Sequence, residues 1–151
     1  MKRESGFTLI ELLVVVAILG VLGATAMPLY NTWQQRAYGS EAILMMKTIT
    51  EGEILYMLEN DQYFPGPNES LMVNKDGTGI PNDALAQINE ALNLAISVNG
   101  RLEYQISNNG DGSVTITIQA SFPLFKNGLP YVMALLNEDG RVEYMSFESF
   151  G

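Results

Sequence analysis

From Leu12 to Met27, sixteen consecutive residues carry no charge, and most are aliphatic. Traced back to Phe7, the stretch is 21 residues long and holds a single acid, Glu11. As an α-helix it would span about 31 Å, the thickness of a bilayer's hydrocarbon layer. A helix apolar on every side needs lipid or other helices around it and does not suit the surface of a soluble domain. Lys2 and Arg3 precede it, which favours a cytoplasmic N-terminus and one crossing of the membrane.

Glu11 does not belong in a plain anchor. A carboxylate near the middle of a membrane costs about 2.5–3.5 kcal/mol on insertion scales, so its retention points to a function. The natural partner is an amine. Cleavage after Gly6 would give Phe7 a cationic α-amine with a pKa of about 8. Glu11 lies four residues further on, along the same helical face. It could meet its own amine, or that of a neighbouring helix displaced along a filament.

The run Gly6-Phe7-Thr8-Leu9-Ile10-Glu11, followed by the apolar segment, resembles the N-terminus of type IV pilins and pseudopilins. The resemblance implies a prepilin peptidase that cuts between Gly6 and Phe7 and methylates Phe7, with Glu11 as the assembly carboxylate. It further implies a leader over 1–6, a transmembrane and filament-core helix over 7–28, and a globular head over 29–151. The partners implied are further copies of the chain, the peptidase and methylase, the inner-membrane pilus or secretion machinery, and the membrane itself. The chain would begin as a single-pass inner-membrane precursor and end in an extracellular pilus or, alternatively, a periplasmic type II secretion pseudopilus. The N-terminal motif cannot separate these two. Neither enzymatic activity nor a cofactor or metal is implied.

Three other readings compete. A secretory signal peptide would use Leu12–Leu22 as its apolar core and Ala24-Thr25-Ala26 as its cleavage site, but it leaves Gly6-Phe7 and Glu11 without a purpose. A membrane-tethered enzyme has no motif to rest on. A buried core helix of this length and composition is out of keeping with a chain of 151 residues.

Gly20, Gly23 and Pro28 make Gly20–Pro28 the weakest part of the helix. The proline lacks a donor and clashes with the Ala24 carbonyl, and each glycine costs up to about 1 kcal/mol relative to alanine. The segment either melts in a filament, as the resemblance implies, or keeps a mild kink. Gly20 and Ala24 also form a small-xxx-small pair suited to close helix contact.

Beyond Pro28 the helical period resumes. Ala42, Met45, Met46, Ile49 and Tyr56 recur at spacings of three and four, with Glu41, Lys47, Glu51 and Glu59 elsewhere around the axis and Gly39 and Gly52 as interruptions. One helix from Phe7 to Asn60 is expected, apolar all round in its first half and on one side in its second. Asn60-Asp-Gln-Tyr-Phe-Pro-Gly-Pro67 ends it, with Asp61 and Tyr63 in structural roles. Residues 61–100 form a connecting region. In it Asp76-Gly77-Thr78-Gly79 reads as a turn, since it lacks the further ligands of a calcium loop and the Lys-Ser/Thr of a phosphate loop. A second helix over about Asp83–Val98, capped by Asn82 and stopped by Asn99-Gly100, carries the stripe Leu85, Ile88, Leu92, Ala95 and Ile96.

From residue 101 the period becomes two. Leu102, Tyr104 and Ile106 alternate with polar residues, as do Val114, Ile116 and Ile118. Runs over Tyr131–Leu136 and Arg141–Phe147 follow, and Asn108–Gly112 and Asn137–Gly140 supply the turns. The expectation is an α+β pilin-like fold: a long N-terminal helix, a short second helix, and a four-stranded antiparallel β-meander over 101–147. The resemblance is carried by motifs over residues 1–65 and by architecture alone beyond them. Many pilins have a cysteine pair near the C-terminus. This chain has no cysteine, so the apolar cluster Phe122, Leu124, Phe125, Leu129 and Tyr131 must hold that region by burial.

Composition excludes several functions. With neither histidine nor cysteine, thiol chemistry, disulfides and the common zinc and triad sites are unavailable. Residues 37–151 hold five basic and fifteen acidic residues, a net −10. Such a head repels nucleic acid, so no nucleic-acid partner is expected for this subunit alone. Phe7, Tyr30, Trp33, Tyr38, Tyr56, Tyr63 and Phe64 also raise electron conduction along aromatics, although rings at these spacings ordinarily serve packing.

Overall fold

The computed structural model of the chain describes residues 7–73, 83–96 and 101–145. In order, its elements are α1 (Leu9–Asn60), β1 (Ser70–Val73), α2 (Ala84–Ala91), β2 (Leu102–Asn108), β3 (Val114–Ala120), β4 (Tyr131–Leu136) and β5 (Val142–Met145). Met1–Gly6, the Asp76–Gly79 turn, Asn82, Asn99, Gly100 and Phe147 lie outside the described residues. The chain divides into two compact units, Met1–Gln34 and Gln35–Gly151, and α1 contributes to both.

In the first unit every residue from Phe7 to Trp33 is exposed. By length and composition α1 is able to cross a membrane. The helix continues without interruption through Pro28. Thr25 Oγ1 donates to the carbonyls of Val21 (3.3 Å) and Leu22 (3.0 Å), and Thr32 Oγ1 to that of Pro28 (3.0 Å). These hydroxyls therefore stay paired within the helix, as an apolar surrounding requires.

In the second unit α1 buries Ala42, Met46, Ile49 and Glu53 along one stripe. The sheet is antiparallel throughout, in the order β1-β2-β3-β4-β5. Register places Val73, Tyr104, Ile118 and Val132 in one row and Leu71, Ile106, Ile116 and Ala134 in the next. These rows share one core with the α1 stripe and with Ala84, Leu85 and Ile88 of α2. The alternation predicted for β2 and β3 is present residue by residue, because only one face of the sheet is covered.

Three details differ from the sequence-based expectation. The meander gains a fifth strand, β1, within the region expected to connect α1 to the sheet; Ser70–Val73 pairs with Tyr104–Ser107. The second helix is shorter than expected, ending at Ala91. Asn93 takes a positive φ of 51°, and Asn89 Oδ1 accepts the Ile96 N–H at 3.0 Å, which leads the chain out of the helix while Leu92 and Ile96 stay buried. Finally, the residue at the N-cap of α2 is Asp83, with no side-chain cap hydrogen bond.

Two glycines that seemed to interrupt the period of α1 sit where backbone approaches backbone. A Cβ on Gly39 would lie 2.5 Å from the Leu124 carbonyl oxygen, and one on Gly52 3.2 Å from that of Leu92. The 122–129 loop closes on α1 at Gly39. Gln35 Nε2 donates to the Phe125 carbonyl at 2.5 Å, and Tyr38 and Phe122 meet edge to face at 5.3 Å. Leu124 and Phe125 are buried, whereas Tyr131, expected in the same cluster, is exposed at the sheet.

Candidate functional site

The residues predicted to carry function lie at the start of α1. Thr8 precedes the first helical residue, and Glu11 is the third residue of the helix. Glu11 Oε2 accepts the Thr8 N–H at 2.9 Å and the Thr8 hydroxyl at 2.6 Å, while the Glu11 N–H is 3.3 Å from Thr8 Oγ1. This reciprocal pair is a capping box, which satisfies two of the orphan donors at a helix start. Its sequence signal is Thr8-Leu9-Ile10-Glu11, a Thr followed three residues later by Glu, within the same residues that place Glu11 opposite the Phe7 amine. The capping box has a chemical consequence. It holds the carboxylate at the helix terminus and on the surface, with Oε2 occupied by Thr8, and no partner for Oε1 appears among the described residues. A carboxylate accepts from several donors at once, so capping leaves capacity for a cation.

Gly6 lies outside the described residues. Phe7 is exposed next to the cap. Gly20 and Gly23 have no heavy atom within 4 Å of a built Cβ, apart from the helix's own backbone and chain neighbours. Among the described residues nothing covers the apolar surface around them.

A second polar feature lies in the head, and no sequence motif marks it. Glu53 is completely buried. Its Oε2 accepts the Phe64 N–H at 3.0 Å, and its Oε1 has no partner among the described residues. Burial pushes its carboxyl up to about 8, against the smaller opposing pull of the Phe64 N–H. Its place could have been read from spacing, since 42, 46, 49 and 53 form a single helical stripe. Around it the segment after α1 is pinned to the sheet. Tyr63 OH donates to the Asn137 carbonyl (2.9 Å), and Asn108 Nδ2 donates to the carbonyls of Tyr63 (2.9 Å) and Pro65 (2.8 Å). Beside these bonds lies a cavity of about 170 Å³ lined in part by Asp61, Tyr63, Asn108 and Glu138. Among the described residues, no three acidic groups are gathered as a metal site.

Comparison with known proteins bears on both units. The family model described as the prokaryotic N-terminal methylation motif matches residues 1–27. A fimbrial protein of Pseudomonas aeruginosa is 31% identical over 119 residues, covering 77% of this chain and 68% of that protein. The chain belongs to the type IV pilin family. The fimbrial protein of Neisseria meningitidis serogroup B is 43% identical over 67 residues, covering 44% of this chain. The type IV major pilin protein PilA of Myxococcus xanthus is 42% identical over 67 residues, again 44% of this chain. The chain spans 39% and 30% of the length of these two relatives. No solved structure matches it. The α+β pilin fold expected from the sequence is the fold observed, with five strands in its sheet.

Proposed function

We propose that this chain is the precursor of a type IV pilus subunit, made as a single-pass inner-membrane protein and built into an extracellular filament through its N-terminal helix. One observation carries the reading: an apolar helical segment, exposed from Phe7 to Trp33, begins with an acid that is capped but meets no cation among the described residues. Lipid covers such a surface before assembly, and the helices of other subunits cover it afterwards.

The residues take these roles. Cleavage between Gly6 and Phe7, with methylation of Phe7, creates the cation. Glu11 neutralises the Phe7 amine of an adjacent subunit, which sets the axial register as the helices bundle. Thr8 holds Glu11 in place until then. Gly20, Gly23 and Pro28 form a stretch able to loosen on packing. Residues 7–28 form the membrane and filament core and 29–151 the head, with 1–6 removed. This is binding chemistry: the chain is a substrate of the peptidase and methylase, and its relatives are structural pilins. Those named fimbrial protein and major pilin support a pilus over a type II secretion pseudopilus. The acidic head supports no nucleic-acid partner for this subunit alone.

Mass spectrometry of the mature N-terminus tests the reading. An N-methylated Phe7 is expected. A chain beginning at Met27 would mean a signal peptide and a secreted head.

A further inference from the structure

Two aromatic residues are absorbed neither by the filament chemistry nor by the head core. Tyr30 and Trp33 are 59% and 68% exposed. Neither ring meets another ring, and neither the Tyr30 hydroxyl nor the Trp33 indole N–H has a partner among the described residues. Three residues apart, they lie on adjoining parts of one helical face.

Their position along the axis is informative. Leu29 is the last large exposed aliphatic before them, and the next is Leu44. Trp33 therefore stands about 6 Å beyond the end of the apolar segment, with Tyr30 directly beside that end. The polar interfacial layer of a bilayer is about 5–8 Å thick on each side. Side chains on a helix lean toward its N-terminus, which here turns both rings back toward the hydrocarbon. Arg36 follows one turn later, exposed and without a carboxylate partner among the described residues. The head's own bonds begin at Gln35, whose amide reaches the Phe125 carbonyl. The hydroxyls of Thr8, Thr25 and Thr32 are each paired locally, whereas the Tyr30 hydroxyl, the Trp33 indole N–H and the Arg36 guanidinium have no side-chain or carbonyl partner among the described residues.

We infer that Tyr30 and Trp33 form an interfacial anchor that docks the precursor against the headgroup layer on the outer face of the membrane and fixes its insertion depth, with Arg36 at the level of the lipid phosphates. The partner is the phospholipid surface. Aromatic rings suit this layer because one edge is apolar and the other carries a donor. Anionic lipid repels residues 37–151, of net −10, so an anchor of aromatic type, with a single arginine, holds where attraction of the whole head would not. The inference rests on the membrane-inserted precursor proposed above.

Trp33 is the only tryptophan in the chain and so reports its own depth. The full-length precursor is reconstituted into phosphatidylcholine vesicles whose lipids carry bromine near the headgroup or near the chain ends. Expected is emission blue-shifted from that of the urea-unfolded chain, with most of it lost to shallow bromine and little to deep bromine or to aqueous iodide. A Trp33→Phe, Leu44→Trp variant moves the reporter to an exposed head site; iodide should quench it and neither lipid should. Quenching of Trp33 by iodide as in the unfolded chain, or chiefly by deep bromine, overturns the anchor, as does lipid quenching at position 44. Carbonate extraction separates the two failures: a chain that stays in the vesicles with Trp33 in water refutes the anchor alone, whereas a chain that washes off refutes the inserted precursor too.

Discussion

Glu53→Gln should change the stability of the head in a way that depends on pH. The carboxyl titrates at about 8 in the folded chain against 4.5 unfolded, chiefly through burial. The folded state therefore holds a proton that the unfolded state has released between those values. The Glu53 contribution to stability is greatest below about pH 4.5, falls as pH rises, and levels off above about pH 8. At 1.36 kcal/mol per pKa unit, the full shift is worth about 5 kcal/mol. Glutamine has nearly the same shape, its carbonyl oxygen can still accept the Phe64 N–H, and it does not ionise. The variant should thus resemble the parent near pH 4.5 and exceed it by several kcal/mol near pH 9. Urea unfolding of the full chain in mild detergent, followed by near-ultraviolet circular dichroism across that range, measures the difference; taking variant minus parent cancels the repulsion among the other carboxylates. A difference that stays flat from pH 4.5 to 9 would refute the reasoning, because Glu53 would then be ionised and solvated throughout.

Gly39→Ala should destabilise the head by about 1–3 kcal/mol, since its Cβ would meet the Leu124 carbonyl at 2.5 Å; Gly20→Ala, with open space around it, should leave head unfolding unchanged in the same denaturation series. Asn108→Ala strips donors from the Tyr63 and Pro65 carbonyls and an acceptor from the Gly110 N–H. It should cost about 1–3 kcal/mol and speed hydrogen exchange in the segment after α1.

The parts legible in the sequence were those set by local periodicity. The all-round apolar segment, the one-sided second half of α1 and the alternation of β2 and β3 each follow from which faces are covered. The parts not legible depended on distant partners. β1 is four residues long and becomes a strand only because β2 offers an edge. Gly39 and Gly52 looked like breaks in a helix until the Leu124 and Leu92 backbones lay against them. Asn89 shortened α2 through a side-chain bond to Ile96, which no propensity encodes. At the candidate site, Glu11 stood out by its surroundings, whereas its bond to Thr8 required joining two familiar signals over the same four residues.

The most direct measurement is filament assembly by Glu11→Gln in cells that process and insert the chain. Glutamine keeps the bond to Thr8 and removes the charge. With cleavage and Phe7 methylation confirmed by mass spectrometry, the subunit should accumulate in the membrane and filaments should be lost. Filaments of normal number and length from that variant would contradict a role for the Glu11 charge in joining subunits.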